Sequence, residues 1–230
     1  VRKGVALAHE TIRDRVLSAN KAFGIASDDT VIWCLPMAHH FLITIVLYLS
    51  VGATVVLARH VVANPFLEAI NRWKGTILYA APFHFAMLAR DNSGAQIPSV
   101  RLAVSTTCAL PQDTSEDFHK RFGIALAQAL GVIELGLVAL NTEDPRGRWD
   151  SVGQPAGDFK VRIMNADEHG CGEVGVSGSG IFDAYVAPWV SREEVLRDGW
   201  YTTGDVAALD EILAASTRMV FSSCFHERPL

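Results

Sequence analysis

The feature that most constrains the fold is the alternation of helical and strand patterns over the first 140 or so residues. Glu10 to Phe23 places apolar residues at helical spacing and stops at Gly24. Short apolar runs, typical of buried strands, then alternate with further helical patterns. The predicted strands are 31–35, 54–58, 76–79, 101–105 and 124–128, and the predicted helices after the first are 41–50, 64–73, 83–90 and 111–122. This order predicts an α/β fold with a mostly parallel sheet flanked by helices.

The pattern changes near residue 143. Residues 159–164 and 172–177 alternate between apolar and polar side chains on either side of a turn, which predicts a β-hairpin. Ser191 and Glu194 have the spacing of a helix capping box. We therefore predict an α/β subdomain over 1–143 and a smaller β-rich, distorted barrel-like subdomain over 144–211. Residues 212–230 show no trustworthy periodicity and are expected to form an atypical tail.

Charge, hydropathy and cysteine spacing exclude several classes of protein. The net charge of −5 and the lack of a Lys/Arg cluster argue against a nucleic-acid partner. Residues 41–58 are almost wholly apolar, but Gly52 divides them, so a buried helix and a buried strand explain them better than a membrane span. The four cysteines form no CxxC pair, so we expect reduced thiols in a cytoplasmic protein.

Three short motifs fail in their context. Gly170, Gly172 and Gly175 match GxGxxG, but they enter a predicted hairpin strand, whereas a dinucleotide site needs a strand before the motif and a helix after it. Residues 175–179 resemble a nucleophile elbow but also lie in the hairpin. His39 and His40 are adjacent and have no carboxylate or cysteine at ligand spacing, which argues against a metal site there.

Parallel α/β sheets bind ligands in the loops beyond the carboxyl ends of their strands. Three segments are predicted to lie at that edge, namely 36–41, 105–111 and 129–136. Glu134, which lies among apolar residues, could by itself be a helix cap or an acid at the edge of the core. Asp205 after Gly204 could be an ordinary turn residue, and His39 a hydrogen-bonded core histidine.

Seven segments, in order, resemble the motifs of the adenylate-forming enzymes, which include acyl-CoA synthetases, firefly luciferase and the adenylation domains of peptide synthetases. They are Arg2-Lys3-Gly4-Val5 with His9-Glu10, Leu35-Pro36-Met37-Ala38-His39-His40-Phe41, Ser105 to Pro111 (STTCALP), Gln128-Ala129-Leu130-Gly131-Val132-Ile133-Glu134, Val152-Gly153-Gln154-Pro155, Gly172-Glu173-Val174, and Gly199-Trp200-Tyr201-Thr202-Thr203-Gly204-Asp205. Each motif alone is weak, but seven in order over residues 2–211 identify the chain as similar to this family.

The resemblance implies an ATP-dependent ligase in which a carboxylate attacks the α-phosphate of ATP and a thiol of coenzyme A or of a carrier protein then takes the acyl group. It implies Glu134 as the magnesium ligand and His39 as a second catalytic residue beside the carboxylate. The acid would be fatty or aromatic, and the resemblance leaves open a homodimer or a carrier-protein partner. The implied nucleotide-binding residues are Thr106, Thr107, Cys108, Ala109, Leu130, Gly131 and Asp205, and the implied acyl-pocket residues are His40, Phe83 and Leu135, of which Phe83 by itself reads better as core.

Several positions depart from the family pattern. Ile133 stands where the family has threonine, Leu130 replaces an aromatic residue that stacks on adenine, and Thr106 and Thr107 replace glycines. The phosphate loop proper and the C-terminal lysine domain are not found in the sequence. We therefore expect a fragment or a degenerate form of the ligase with impaired activity. The alternatives are a non-catalytic module that binds an acyl or aryl ligand or a partner protein, and a structural subunit of a larger synthetase.

Overall fold

The computed structural model describes residues 4–58, 62–211 and 217–220. Seven α-helices and fourteen strands are found in these residues, together with one π-helical segment, Phe41–Ile45, between α2 and α3. The helices are α1 (His9–Phe23), α2 (Met37–His40), α3 (Val46–Ser50), α4 (Ala63–Trp73), α5 (Pro82–Ala89), α6 (Gln112–Phe122) and α7 (Arg192–Val195). The strands are β1 (Val5–Ala6), β2 (Thr30–Trp33), β3 (Thr54–Leu57), β4 (Ile77–Ala80), β5 (Leu102–Ser105), β6 (Leu126–Val132), β7 (Gly136–Leu140), β8 (Ser151–Pro155), β9 (Lys160–Met164), β10 (Gly172–Ser177), β11 (Ala184–Val186), β12 (Trp189–Ser191), β13 (Tyr201–Glu211) and β14 (Thr217–Val220).

One eleven-stranded sheet, in the order β3-β2-β4-β5-β6-β7-β8-β14-β13-β10-β9, runs through the part of the chain that is described. Its first five strands pair in parallel, and every later pair is antiparallel. A separate three-stranded sheet has the order β1-β11-β12. The predicted α/β fold with a parallel sheet flanked by helices is therefore confirmed, whereas the division at residue 143 stays a prediction.

Helices cover both faces of the parallel strands. Side chains of α1 and α3, including Phe23 and Tyr48, pack against one face together with Trp33 and Tyr79. Side chains of α4, α5 and α6 pack against the other face. A third apolar cluster lies between the antiparallel strands and includes Phe182. Because β2, β4 and β5 are buried on both faces, they read in the sequence as continuous apolar runs. The edge strand β3, which was predicted as a buried strand, is only partly buried.

The buried face of helix α1 matches the predicted apolar stripe only in the second half of the helix, at Ala19 and Phe23. Its buried residues are Thr11, Arg15, Ser18, Ala19 and Phe23. The apolar residues Ile12 and Val16 are only partly buried. Two polar members of this face bond to partners far along the chain: Thr11 Oγ1 donates to Asp183 Oδ2, and Arg15 makes the bonds described below. Gly24 ends the helix in the left-handed conformation with φ 59°, as predicted.

Several predicted boundaries are wrong. Residues 37–41 are helical from Met37 onwards, so 36–41 is not a loop. Residues 129–132 extend β6, because β7 folds back and pairs with them. Helix α4 begins at Ala63, one residue before the predicted start at residue 64, and Val62 is its N-cap. Within the predicted tail, the backbone of β14 pairs with both β8 and β13; residues 212–216 and 221–230 lie outside the described residues.

Other predictions from the sequence are confirmed. Strands β9 and β10 form the predicted hairpin. Ser191 and Glu194 make the capping box at α7, with the Ser191 backbone N–H 2.9 Å from Glu194 Oε1. The apolar stretch 41–58 divides at Gly52, with φ 80°, into helix and strand. Across the described residues, none of the helices combines the length and apolar character that crossing a bilayer requires.

The cysteine prediction is only partly right. Cys34 and Cys108 are free. Cys171 is disulfide-bonded, so the expectation of four reduced thiols is wrong for this residue. Spacing along the chain was the only basis for the expectation, and it does not determine which thiols come close in space.

Candidate functional site

A cavity of about 420 Å³ opens at the carboxyl ends of β5 and β6. It is bounded by the loop after β5, by the second half of β6 and by the middle of β13. All seven residues that the sequence predicts to bind the nucleotide line this one cavity: Thr106, Thr107, Cys108, Ala109, Leu130, Gly131 and Asp205. The remaining lining residues are Gln128, Ala129, Val132 and Val152. Segments that are up to a hundred residues apart along the chain therefore meet at a single opening.

The loop after β5 is held in place by buried polar side chains. The backbone N–H of Leu110 donates a hydrogen bond to Gln128 Oε1, which fixes the far end of the loop to β6. Thr106 is buried and hydrogen-bonds the hydroxyl of Tyr79, whose pKa is raised to about 12 because burial outweighs that bond. Thr107 has φ 79°, a left-handed conformation that is unfavourable for a β-branched residue. The loop therefore keeps a geometry better suited to glycine.

Asp205 reaches the same cavity from β13. Gly204, with φ 84°, breaks the regular strand just before it, and the backbone N–H of Asp205 donates to Thr203 Oγ1 at 3.1 Å. Burial raises the pKa of the Asp205 carboxyl, a hydrogen bond between this carboxyl and the Thr203 side chain opposes the rise, and the charge of Glu134 raises the pKa further. Asp205 Oδ2 is buried and has no hydrogen-bond partner among the described residues. A hydroxyl of a bound ligand would satisfy this acceptor.

Glu134 lies in the tight turn between β6 and β7, and its backbone is fixed by Arg15 of helix α1. The Arg15 guanidinium donates to three carbonyl oxygens, with Nη1 3.0 Å from Ile133 O, Nη2 2.5 Å from Glu134 O and Nε 2.7 Å from Gly180 O. Burial lowers the pKa of Arg15 to about 10, while Asp183 and Glu134 counteract the shift. A planar guanidinium can satisfy several acceptors at once, so Arg15 defines the shape of this turn.

The Glu134 side chain is almost fully buried and accepts a hydrogen bond from the Tyr185 hydroxyl, with Oε1 and Oη 2.9 Å apart. The hydroxyls of Tyr185 and Tyr201 are 3.1 Å apart. Burial is the main reason that the pKa of Tyr201 lies well above its usual value, and the hydrogen bond with Tyr185 adds to it. Glu134 does not line the cavity, but it is near enough to Asp205 for its charge to affect that carboxyl.

The residues fit a magnesium ion of the kind that nucleotide enzymes use. Magnesium takes oxygen ligands and commonly binds through one or two carboxylates together with substrate phosphates and water. Glu134 offers a carboxylate beside the predicted nucleotide cavity. Within residues 4–58, 62–211 and 217–220, no cluster of three or more His, Cys, Asp or Glu side chains could hold a metal by itself. A bound nucleotide would therefore have to supply other ligands.

The predicted acyl-pocket residues do not gather at this cavity. The His40 ring packs in T-shaped contacts on Trp33 and Tyr79, with centroids 5.3 Å and 5.9 Å away. Leu135 is fully buried in the third apolar cluster, because the tight turn directs it away from the opening. Phe83 is 63% exposed at the start of α5, so the reading of this residue as structural core is wrong. The backbone of His39 belongs to α2, and its side chain lies outside what the structure describes.

Sequence reasoning missed Gln128, Arg15 and Tyr185. A buried glutamine at the end of an apolar strand indicates a polar partner nearby, and this signal could have identified Gln128. A buried arginine on a helix is a similar signal, but the apolar stripe of α1 indicated a different core-facing side, so nothing in the sequence pattern predicted the burial of Arg15. Tyr185 carried no local signal, because its partner Glu134 is 51 positions away.

Comparison with known proteins agrees with this geometry. The sequence model of the family described as AMP-binding enzyme matches residues 1–186. Sulfoacetate–CoA ligase of Cupriavidus necator is 29% identical over 218 residues, which cover 90% of this chain and 43% of that enzyme. Indoleacetate–CoA ligase of Aromatoleum aromaticum is 27% identical over 219 residues, with the same coverage of 90% and 43%. This chain therefore spans less than half the length of these curated relatives.

The structural comparison supports the fold. ATP-bound MatB from Rhodopseudomonas palustris superimposes with a TM-score of 0.80 at 21% identity, over 94% of this chain and 44% of that protein. At this identity the likeness establishes the fold alone. The family match covers far more than half of the sequence and includes the loop after β5, the β6–β7 turn and the β11 strand. The chain belongs to the AMP-binding enzyme family.

Proposed function

We propose that this chain provides the nucleotide site and the metal-binding carboxylate of an ATP-dependent ligase that joins a carboxylic acid to a thiol through an acyl-adenylate. The supporting observation is the cavity of about 420 Å³, which brings together the loop 106–109, Leu130, Gly131 and Asp205. The matched relatives are named as CoA ligases of two different acids. The chain spans less than half of them, so the complete reaction is part of this proposal.

In this proposal, the cavity binds the adenosine part of ATP. The backbone of residues 106–109 borders the adenine, and Asp205 Oδ2 accepts a hydrogen bond from a ribose hydroxyl. Burial makes this bond valuable, because an ionised acceptor without a partner in a low-dielectric site is unfavourable. Leu130 offers apolar contact to the base without aromatic stacking.

Chemistry then takes place on the side of Glu134. The substrate carboxylate oxygen forms a bond to the α-phosphorus, and the bond from that phosphorus to the pyrophosphate oxygen breaks. A magnesium ion held by Glu134 would offset the negative charge of the phosphates. The chain's own contribution is to position the reactants: Arg15 fixes the turn that carries Glu134, and Tyr185 holds its carboxylate.

We further propose a fatty or aromatic acid as the substrate, with coenzyme A or a carrier-protein thiol as the acceptor, in the cytoplasm where ATP and coenzyme A are available. Two departures from the family pattern favour weak catalysis by this chain. Leu130 lacks the ring that would stack on adenine, and Ile133 lacks the hydroxyl that would contact a phosphate. We therefore expect slow exchange of pyrophosphate into ATP and measurable binding of AMP.

Calorimetric titration of the chain with AMP tests the nucleotide site. We expect Asp205→Asn to weaken AMP binding by roughly 10-fold to 100-fold, because the variant loses a hydrogen bond to a charged acceptor. Asp28→Asn, at an exposed position near the amino ends of the strands, is the matched control and should leave the dissociation constant unchanged. Absence of AMP binding, or equal affinity in the Asp205→Asn variant, would refute the proposed nucleotide site.

A further inference from the structure

We propose that Tyr185 and Tyr201 form a relay of two hydroxyls that positions the Glu134 carboxylate for metal binding and connects it to the strand that carries Asp205. This inference rests on the proposed function, because it takes Glu134 as a metal ligand. The three side chains come from separate elements: the β6–β7 turn, β11 and β13. Their contacts are the 2.9 Å bond from Tyr185 to Glu134 Oε1 and the 3.1 Å contact between the two phenol oxygens.

The direction of the relay follows from counting protons. A phenol hydroxyl has one proton to donate, and its oxygen can also accept. Tyr185 uses its proton on Glu134 Oε1, which as a carboxylate oxygen can only accept. The contact between the two phenols must then be donated by Tyr201 and accepted by Tyr185. Tyr201 also lies close enough to Glu134 for a hydrogen bond of its own, so it acts on this carboxylate both through Tyr185 and directly.

Ring packing does not require either hydroxyl. Phe182 contacts both rings, with centroids 4.5 Å from Tyr185 and 5.7 Å from Tyr201. Phenylalanine at either position would keep these contacts. The hydroxyls have a different consequence, because a glutamate side chain has several rotatable bonds and a buried hydrogen bond selects one orientation. Groups that orient a metal ligand in this way commonly change metal affinity by 10-fold to 100-fold when they are removed.

The position of Tyr201 gives the relay a second role. Tyr201 and Asp205 lie on the same strand, β13, on either side of the break at Gly204. Strand β13 also pairs with β10, so its position is fixed independently of Glu134. The relay therefore connects the carboxylate proposed to hold the metal with the strand proposed to hold the ribose. We infer that it keeps the two groups at a constant separation suited to a metal–nucleotide complex.

Binding of Mn²⁺ tests the relay without any need for turnover. The full chain, with a non-hydrolysable ATP analogue present, is titrated with Mn²⁺, and free Mn²⁺ is measured by electron paramagnetic resonance. We expect Tyr185→Phe to weaken Mn²⁺ binding by roughly 10-fold. Tyr201→Phe should weaken Mn²⁺ binding by a smaller factor. The double variant should lose less affinity than the two single losses combined, because part of the effect of Tyr201 passes through Tyr185.

Two controls distinguish positioning of the Glu134 carboxylate by the two hydroxyls from a purely structural role of the tyrosines. Affinity for AMP without metal should be unchanged in both Tyr→Phe variants, since the rings and the cavity remain. Tyr48→Phe, which removes a buried hydroxyl from helix α3, should leave Mn²⁺ binding unchanged. The relay is refuted if Tyr185→Phe binds Mn²⁺ like the wild type, if the single losses are additive in the double variant, or if metal-free AMP binding falls in parallel.

Glu134→Gln distinguishes failure of the relay from failure of the proposed function. If Glu134→Gln loses Mn²⁺ binding while Tyr185→Phe does not, the relay is wrong and the metal role of Glu134 stands. If Glu134→Gln binds Mn²⁺ as tightly as the wild type, or if the wild type does not bind it, the proposed metal role is wrong and the relay fails with it. Weaker Mn²⁺ binding in both Glu134→Gln and Tyr185→Phe supports the metal role of Glu134 and the relay.

Discussion

Asp29 provides the sharpest prediction on stability. This aspartate is buried just before β2 and accepts hydrogen bonds from Arg101, Thr76 and the backbone of Ala26. Thr76 and Arg101 directly precede β4 and β5, so one carboxylate joins the amino ends of three neighbouring parallel strands. This edge of the sheet is opposite to the one that bears the nucleotide cavity. A change at Asp29 should therefore affect stability without affecting AMP affinity.

The magnitude follows from the pKa. Burial alone would raise the pKa of Asp29, but the hydrogen bonds from Arg101, Ala26 and Thr76 outweigh it and lower the pKa from 3.8 to about 2. Since the Arg101 side chain is 44% exposed, solvent screens part of the attraction. The ionised carboxylate then contributes about 2 kcal/mol to the free energy of unfolding at neutral pH. We expect Asp29→Asn to lower that free energy by at least this amount.

The sign of the pH dependence is fixed by the direction of the shift. A pKa that is lower in the folded state gives stability that is present above the unfolded pKa, near 4, and lost as the pH falls towards the folded value. The difference in unfolding free energy between the wild type and Asp29→Asn should therefore shrink between about pH 5 and pH 2. Urea unfolding, followed by circular dichroism at several pH values, measures the difference. A difference that is the same at pH 7 and pH 3 would refute the reasoning.

Two further predictions concern the close packing of helix α1 and the adenine side of the cavity. Gly157→Ala should destabilise the fold by about 3 kcal/mol, because φ is +64° and an added Cβ would lie 1.7 Å from Ser18 Oγ and 2.9 Å from its Cα. Gly170 has a similar φ of +75° but open space around an added Cβ, so Gly170→Ala should lower the free energy of unfolding by only about 1 kcal/mol. Thermal or urea unfolding measures both variants, and equal losses of unfolding free energy would contradict the steric argument. Leu130→Tyr should tighten AMP binding about 5-fold by adding an aromatic face to the cavity. Leu130→Met, measured by the same calorimetry, should stay within about 2-fold, and an unchanged affinity for Leu130→Tyr would show that the base does not lie against this residue.

Much of the parallel sheet could be predicted from the sequence because its signals are local. Trp33, Tyr79 and Val104 lie in short apolar runs bounded by helices, and such runs indicate strands buried on both faces whatever the rest of the chain does. Gly24 and Gly123 end their helices in left-handed conformations, as glycines that directly follow a helical pattern commonly do. The order of motifs also brought the loop 106–109 and Asp205 to one predicted site, and both line the same cavity.

The misplaced elements depended on pairing that no local pattern contains. Residues 129–132 were predicted as a loop, yet β7 supplies their hydrogen-bond partners and makes them a strand. Strand β14 had no clear periodicity, and it exists as a strand because β8 and β13 pair with its backbone on either side. Strand propensity is weaker evidence than helix propensity for this reason: the partners lie elsewhere in the chain.

By itself, then, the sequence determined the α/β class, the positions of most helices and strands, and seven of the residues that line the cavity. Tertiary structure alone decided how Glu134 is held. Arg15 lies 119 positions away in the sequence and donates to the carbonyl oxygen of Glu134, and Tyr185 donates to the Glu134 side chain. It also decided that α1 buries Thr11 and Arg15, which have hydrogen-bond partners on other elements, while Ile12 and Val16 are only partly buried. Periodicity depends on neighbours along the chain, whereas a buried polar group is stable only where a partner meets it in space.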